Sequence, residues 1–388
     1  MSFEIILAAL LVLAAAILVG EAFEQVRLPS VAGELLSGLI LGPTLLKLVA
    51  PDAQMQGVAS IALFFIIFMI GFEMNTKTLS KHVSHAVLLS LSSFIVPLII
   101  CMAIGFLVFP FGSISIFIVA LAISVPSISI ISVLVMQYNM LEEESGTIIL
   151  ASVTITDVVS FIILEAVTGP VVTTITVITE TSIFVGAFLV VDWLLNYKPL
   201  QVRRALGKLG RLAKREDISY AALILVGLAL AAIFQTIGLS YIIGAFFAGL
   251  IVHDGLIGRK QFAEISQTFA RINGAFFIPF FFGFAGVEAD LAASSLRLIP
   301  AVSLVLLASL GSGIALSYYT SKKIYGLTLE KSRQVAVTLG GRGAVGIVIA
   351  SVALSTNLIS DNEYSLIIIS TIAASIVVPL LLGRKKDA

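Results

Sequence analysis

Gly146-Thr-Ile-Ile-Leu-Ala-Ser-Val-Thr-Ile-Thr-Asp157-Val-Val-Ser-Phe-Ile-Ile-Leu-Glu165 is long enough to cross a bilayer as a helix, and it carries one carboxylate near its middle. An aspartate at the centre of a membrane helix costs about 2.5–3.5 kcal/mol on insertion, so it persists only with partners or with a function. Thr154 and Ser160, three residues before and after Asp157, flank it on one helix face, and Thr156 lies to the side. A carboxylate in a dry site is a proton acceptor and a hard anionic ligand for Na⁺, K⁺ or Li⁺. The structural alternative is that Asp157 only hydrogen-bonds a neighbouring helix. An intramembrane acid is nonetheless a functional candidate by default.

Working outward, the whole chain has the same character. Of its 388 residues 59% are hydrophobic and 12% charged, and the mean hydropathy is +1.11. Apolar runs recur from end to end, which excludes a soluble domain and predicts an all-α polytopic membrane protein. Lys plus Arg and Asp plus Glu are both 23, so net charge says nothing about partners. The one cysteine, Cys101, lies inside an apolar run and supports neither a disulfide framework nor a thiolate metal site. The first apolar run starts behind Glu4 rather than a basic residue and reads as a retained span, not a signal peptide.

The pattern predicts thirteen spans: 4–22, 30–49, 56–73, 84–108, 114–137, 146–168, 181–197, 217–236, 239–256, 271–290, 297–319, 332–353 and 363–383. Basic residues set the orientation. With the N-terminus outside, the run 198–215 with Arg203, Arg204, Lys208, Arg211, Lys214 and Arg215 falls inside, as do Lys77, Lys81, Lys322, Lys323 and the tail Arg384-Lys385-Lys386. Only Lys47 and Arg297 fall outside, so the topology reads N-out/C-in. The run 198–215 is then a cytoplasmic loop or surface helix, and no nucleic-acid partner is expected.

An internal repeat is visible. Ser30-Val-Ala-Gly33-Glu-Leu-Leu-Ser-Gly38-Leu-Ile in span two matches Tyr241-Ile-Ile-Gly244-Ala-Phe-Phe-Ala-Gly249-Leu-Ile in span nine. At nearly the same offset, Phe64-Phe-Ile-Ile-Phe-Met-Ile-Gly71-Phe72-Glu73 faces Phe276-Phe-Ile-Pro-Phe-Phe-Phe-Gly283-Phe284. The copies lie an odd number of spans apart and enter the membrane from opposite sides, which is the inverted repeat of secondary transporters. The offset also pairs span five with span twelve, and each holds a helix breaker in mid-membrane: Ser124-Val125-Pro126-Ser127 in one, Gly340-Gly341-Arg342-Gly343 in the other. Proline removes an amide donor and glycine exposes backbone, so both helices should open locally where they cross. Unwound backbone at that depth lines a cavity, and its carbonyls can bind a cation. Ser124 and Ser127, with Thr156 beside Asp157, would add hydroxyl oxygens, because one carboxylate supplies too few to replace a hydration shell. Arg342 reads as a base that satisfies carbonyls at the exposed helix ends, with charge balance at the crossing as the other role. Glu34, Glu73, Glu165, Asp192 and Glu288 lie nearer span ends, where snorkelling suffices; Glu34 and Glu73 are the candidates for cavity-lining acids.

Several blocks resemble one family. Pro29-Ser-Val-Ala-Gly33-Glu34-Leu-Leu-Ser-Gly38-Leu-Ile-Leu-Gly42-Pro43 is similar to the second-helix signature of the cation:proton antiporter-2 family. Phe65-Ile-Ile-Phe-Met-Ile-Gly71-Phe72-Glu73, the block Gly238 to Gly249 and Ile278-Pro279-Phe-Phe-Phe-Gly283 resemble its next blocks, in order along essentially the whole chain. The resemblance implies exchange of Na⁺ or K⁺ for H⁺ by an elevator movement in the cell membrane, as a homodimer and without a cofactor. It implies a dimerisation scaffold at 1–80 and 216–295 and a mobile core at 81–170 and 296–388, with a linker helix and basic loop at 171–215. The chain departs from the family in three places. Residue 156 is threonine where many members carry a second acid, span eleven holds no lysine, and the first break reads Ser124-Val125-Pro126 where related antiporters often carry Thr-Asp-Pro. A site this poor in charge points to electroneutral one-for-one exchange.

Two other classes compete. A sodium-coupled organic-anion symporter can share broken crossing helices, but it would want more Asn, Gln and Glu at the crossing. An intramembrane aspartyl protease needs two facing acids, and only Asp157 is well centred. The chain therefore reads as a transporter, not an enzyme.

Overall fold

In hydrocarbon every backbone amide must find its partner within the protein, and a helix achieves this inside a single segment. The computed structural model describes residues 3–26, 28–73, 83–138, 140, 144–168, 217–236, 241–251, 259–290 and 293–382, and among these all regular structure is helical. The predicted seventh span, the basic run 198–215 and Asp192 lie outside the described residues.

The helices are α1 (Phe3–Gln25), α2 (Ser30–Leu41), α3 (Ala53–Glu73), α4 (Val83–Ser90), α5 (Val96–Val108), α6 (Ser113–Ser124), α7 (Ile128–Gln137), α8 (Glu144–Thr168), α9 (Asp217–Thr236), α10 (Tyr241–Ile251), α11 (Arg259–Ile272), α12 (Ile278–Glu288), α13 (Ala293–Tyr319), α14 (Leu329–Thr338), α15 (Ala344–Ser355) and α16 (Asp361–Leu382). Among the described residues six stretches are long and apolar enough to cross a membrane: Glu4–Gln25, Ala53–Phe72, Ser84–Val108, Phe262–Glu288, Arg297–Ile324 and Asp361–Leu382. Two of them contain a π-turn, Leu91–Ile95 and Asn273–Phe277, and each π-turn is followed two residues later by a proline, Pro97 or Pro279. A missing amide donor loosens the hydrogen-bond ladder just where the extra residue is accommodated. Span two corrects the expectation. Its helix stops at Leu41, and Gly42-Pro43 turns the chain so that Leu45, Leu46 and Leu48 are exposed rather than helical.

The chain divides into two compact units. One comprises Met1–Gly57, Asn75–Phe161 and Pro279–Ala388; the other comprises Val58–Met74 and Ile162–Ile278. In the first unit, α2 presses on α1 and on α12. A methyl group on Gly38 would run into the Gly283 carbonyl, and one on Gly33 would sit 2.6 Å from the Val19 carbonyl. The second unit repeats these contacts with the aligned glycines. A methyl on Gly249 would meet the Phe68 carbonyl of α3, and one on Gly244 would sit 2.6 Å from Ala231 Cα of α9. In each case the first glycine admits the preceding helix and the second admits a helix distant in sequence. The second unit's core is Phe68, Met69, Phe72, Ala248, Ile265 and Phe269, with Ile265 and Phe269 supplied by the apolar stripe of α11. Glu34 also departs from expectation. It is 4% exposed and does not snorkel, because Gly20 on α1 leaves room for its side chain to lie across the helix contact.

Candidate functional site

Both predicted breaks are present. The first follows from proline: the residue before it is pushed out of the helical region, and Val125 has φ −69°, ψ 120°, ending α6 at Ser124. The second follows from three glycines. Gly340 and Gly341 donate to the carbonyls of Val337 and Thr338, closing tight turns at 2.9 and 3.0 Å, and Gly343 starts α15 from a conformation outside the helical region. The two breaks cross. Ser127 N–H donates to the Gly341 carbonyl at 2.9 Å, and Pro126 pairs with Arg342 in an isolated antiparallel bridge. Glycine at 343 is required by this approach, since a Cβ there would lie 2.6 Å from Ile130 Cδ1 and 3.1 Å from Ser127 Oγ. The sequence therefore brings Pro126, Ser127, Gly341, Arg342 and Gly343 together.

Asp157 reaches the same level through the packing of α8. Ile149 and Val153 of α8 share an apolar cluster with Ile131 and Val135 of α7 and with Val335 and Leu339 of α14. The helices α7 and α8 run antiparallel across a short connection. One turn back from Ile131 is Ser127, and one turn on from Val153 is Asp157. The register thus sets Asp157 level with the first break. Its side chain is 1% exposed, and neither carboxylate oxygen has a hydrogen-bond partner among the described residues. The flanking hydroxyls do not provide one. Ser160 Oγ donates to the Asp157 carbonyl at 2.8 Å and Thr154 Oγ1 to the Leu150 carbonyl at 2.8 Å. An unpartnered buried carboxylate costs several kcal/mol unless a proton or a cation neutralises it.

The neighbouring oxygens suit a cation. Thr156 Oγ1 is buried and donates to the Ser152 carbonyl at 2.9 Å, so its proton is occupied and only lone pairs remain. Ser124 Oγ at the end of α6 is fully buried and accepts or donates no hydrogen bond among the described residues. Thr338 Oγ1 at the end of α14 is in the same condition. The sequence reading did not single out Thr338 as a ligand. Its signal was a hydroxyl residue directly before the glycine run.

Arg342 holds the crossing together. Its guanidinium is 1% exposed and donates from Nη2 to the Ser93 carbonyl at 3.3 Å and to Ser309 Oγ at 3.4 Å. Ser309 in turn donates to the Ile123 carbonyl at 3.3 Å, at the negatively polarised end of α6. Ser375 of α16 donates to the Arg342 carbonyl at 3.1 Å. The base thus serves exposed carbonyls, as its position in the sequence suggested, yet Ser93, Ser309 and Ser375 carried no signal of it. The Nε and Nη1 groups have no acceptor among the described residues. The side chains of Glu73 and Glu165 lie outside the described residues.

Comparison with known proteins extends these observations. The family model described as sodium/hydrogen exchanger, transmembrane, matches residues 8–384. The Na⁺/H⁺ antiporter of Enterococcus hirae is 24% identical over 383 residues, covering 96% of this chain and 95% of the relative. The Na⁺/H⁺-K⁺ antiporter GerN of Bacillus cereus is 22% identical over 387 residues, covering 98% of this chain and 96% of the relative. Among solved structures, the sodium proton antiporter MjNhaP1 from Methanocaldococcus jannaschii at pH 8 superposes with a TM-score of 0.72 at 18% identity, covering 98% of this chain and all of that one. This last likeness is one of fold.

Proposed function

We propose, on the premise that the chain belongs to the transmembrane sodium/hydrogen exchanger family, that Asp157 binds a monovalent cation and a proton by turns and exchanges them across the membrane. The observation that carries this reading is the Asp157 carboxylate, buried and without a partner among the described residues, level with two crossed helix breaks. A proton and a cation each neutralise the carboxylate, so binding one excludes the other, and that exclusion couples the two fluxes. Thr156, Ser124 and Ser127 complete the cation's shell with carbonyls from the breaks.

The movement is an elevator one. Thirteen spans in an N-out/C-in inverted repeat form a scaffold at 1–80 and 216–295, through which two copies dimerise. A core at 81–170 and 296–388 carries the crossing and Asp157 past it. The paired glycine contacts of α2 and α10 support the repeat. The charge-poor site supports electroneutral exchange of one cation for one proton.

The test is dissipation of a pH gradient in proteoliposomes by Na⁺, K⁺ and Li⁺ in turn, with Asp157→Asn reconstituted beside the native protein. Native vesicles should lose the gradient with at least one of these ions. The Asn variant should fold and insert but not exchange. Cation-for-proton exchange that persists in the variant at a substantial rate would remove Asp157 from the mechanism.

A further inference from the structure

Arg342 is the one fully buried guanidinium among the described residues, and one of its two printed anchors is a backbone carbonyl on a transmembrane helix. A helical carbonyl is normally consumed by the amide four residues on. For Ser93 that residue is Pro97, which has no amide hydrogen. The π-turn Leu91–Ile95 sits at the same place, with the Val96 amide donating five residues back to Leu91. Facing it on α13 is Gly313. A Cβ there would lie 3.2 Å from Pro97 Cγ, 3.3 Å from Arg342 Nη2 and 3.5 Å from the Ser93 oxygen. Proline, glycine, carbonyl and guanidinium therefore meet at one point.

We propose that Pro97 is a positioning residue for ion exchange: by lacking an amide hydrogen it leaves the Ser93 carbonyl open to Arg342, and Gly313 leaves the space in which the guanidinium reaches it. The chain of contacts runs from Ser93 through Arg342 to Ser309 and the Ile123 carbonyl, so it fixes the second break against the end of the first. An amide at position 97 would compete for the same oxygen from within its own helix, at lower entropic cost than a side chain arriving from elsewhere. The arginine would then lose an anchor and the crossing its fixed geometry. This rests on the exchange reading above only for its transport consequence; the coupling between Pro97 and Arg342 is a property of the fold.

The experiment has two parts. In proteoliposomes, Pro97→Ala should raise the apparent KM for the transported cation about two- to tenfold, the size of one lost hydrogen bond to a charged group, with the maximal rate changed less. Gly313→Ala should do the same by crowding the guanidinium while Pro97 stays in place. In detergent, the Tm of Pro97→Ala should not fall, because alanine is the better helix former, whereas a merely structural proline would lower Tm and rate together. The stabilisation should be larger in an Arg342→Ala background, where the restored amide displaces nothing. Equal Tm shifts in both backgrounds, or an unchanged KM in both single variants, would overturn the proposal. The Tm cycle needs no transport, so it decides the coupling even if the protein proves not to exchange cations.

Discussion

A buried carboxylate with no donor is stable only when something neutralises it, and Asp157 has both oxygens free of partners among the described residues. Two oxygens do not replace a cation's hydration shell, so the ligand set must extend to hydroxyls whose lone pairs are available. Thr156 Oγ1 meets this condition because its proton is already donated to Ser152, and Ser124 and Thr338 meet it by having no partner among the described residues. Thr156→Ala and Ser124→Ala should each raise the apparent KM for cation about two- to tenfold while lowering the maximal rate less. Thr338→Ala should join them. The readout is initial exchange rate against cation concentration at fixed pH. Unchanged affinity in both Thr156→Ala and Ser124→Ala would mean that the shell is built from other oxygens. Asp157, Thr156 and Ser124 were legible in the sequence because polar residues in an apolar span have few reasons to be there. The seryl partners of Arg342 were not, because Ser93 lies 249 residues away and serine is common in such helices.

At the scale of the element, breaks and glycine contacts decide which helices approach. The broken helices could be read from sequence since proline and consecutive glycines fail as helix formers wherever they stand. The end of span two could not: Leu45, Leu46 and Leu48 continue the apolar pattern past Gly42-Pro43, and hydropathy does not distinguish a membrane helix from an apolar turn. The repeat was legible through its glycines, and the contacts give the reason. A methyl on Gly38 or Gly249 would collide with backbone, which cannot rotate away as a side chain can. Gly38→Ala and Gly249→Ala should therefore each destabilise the purified protein by about 1–3 kcal/mol, the usual cost of overpacking. Gly57→Ala and Gly274→Ala are the controls, with no heavy atom within 4 Å of the added carbon. Thermal unfolding in detergent reads the difference. Equal losses at all four positions would show that the losses come from glycine's backbone freedom and not from close helix contact.

For the whole molecule the open quantity is the charge moved per cycle. Asp157 neutralised by a proton and Asp157 neutralised by a monovalent cation carry the same charge, so a carrier with this one titrating group moves no net charge in a complete exchange. A second proton would need a second acid that changes its protonation during the cycle. Position 156 is threonine, and residues 299–319 contain no lysine to pair with such an acid. Arg342 cannot substitute, because a guanidinium does not release its proton at physiological pH. Turnover should then be indifferent to membrane voltage. The measurement is Na⁺/H⁺ exchange in vesicles under a K⁺ diffusion potential clamped by valinomycin, so that the clamp ion is not the one transported. A rate or end-point that shifts steeply with the imposed potential would mean that a second proton moves. Glu34 is then the first residue to replace, because it is buried and its Oε2 has no partner among the described residues. Glu34→Gln that abolishes the voltage dependence while leaving exchange intact would identify the second carrier, and Glu34→Gln that leaves the dependence unchanged would direct the search to Glu73 or Glu165.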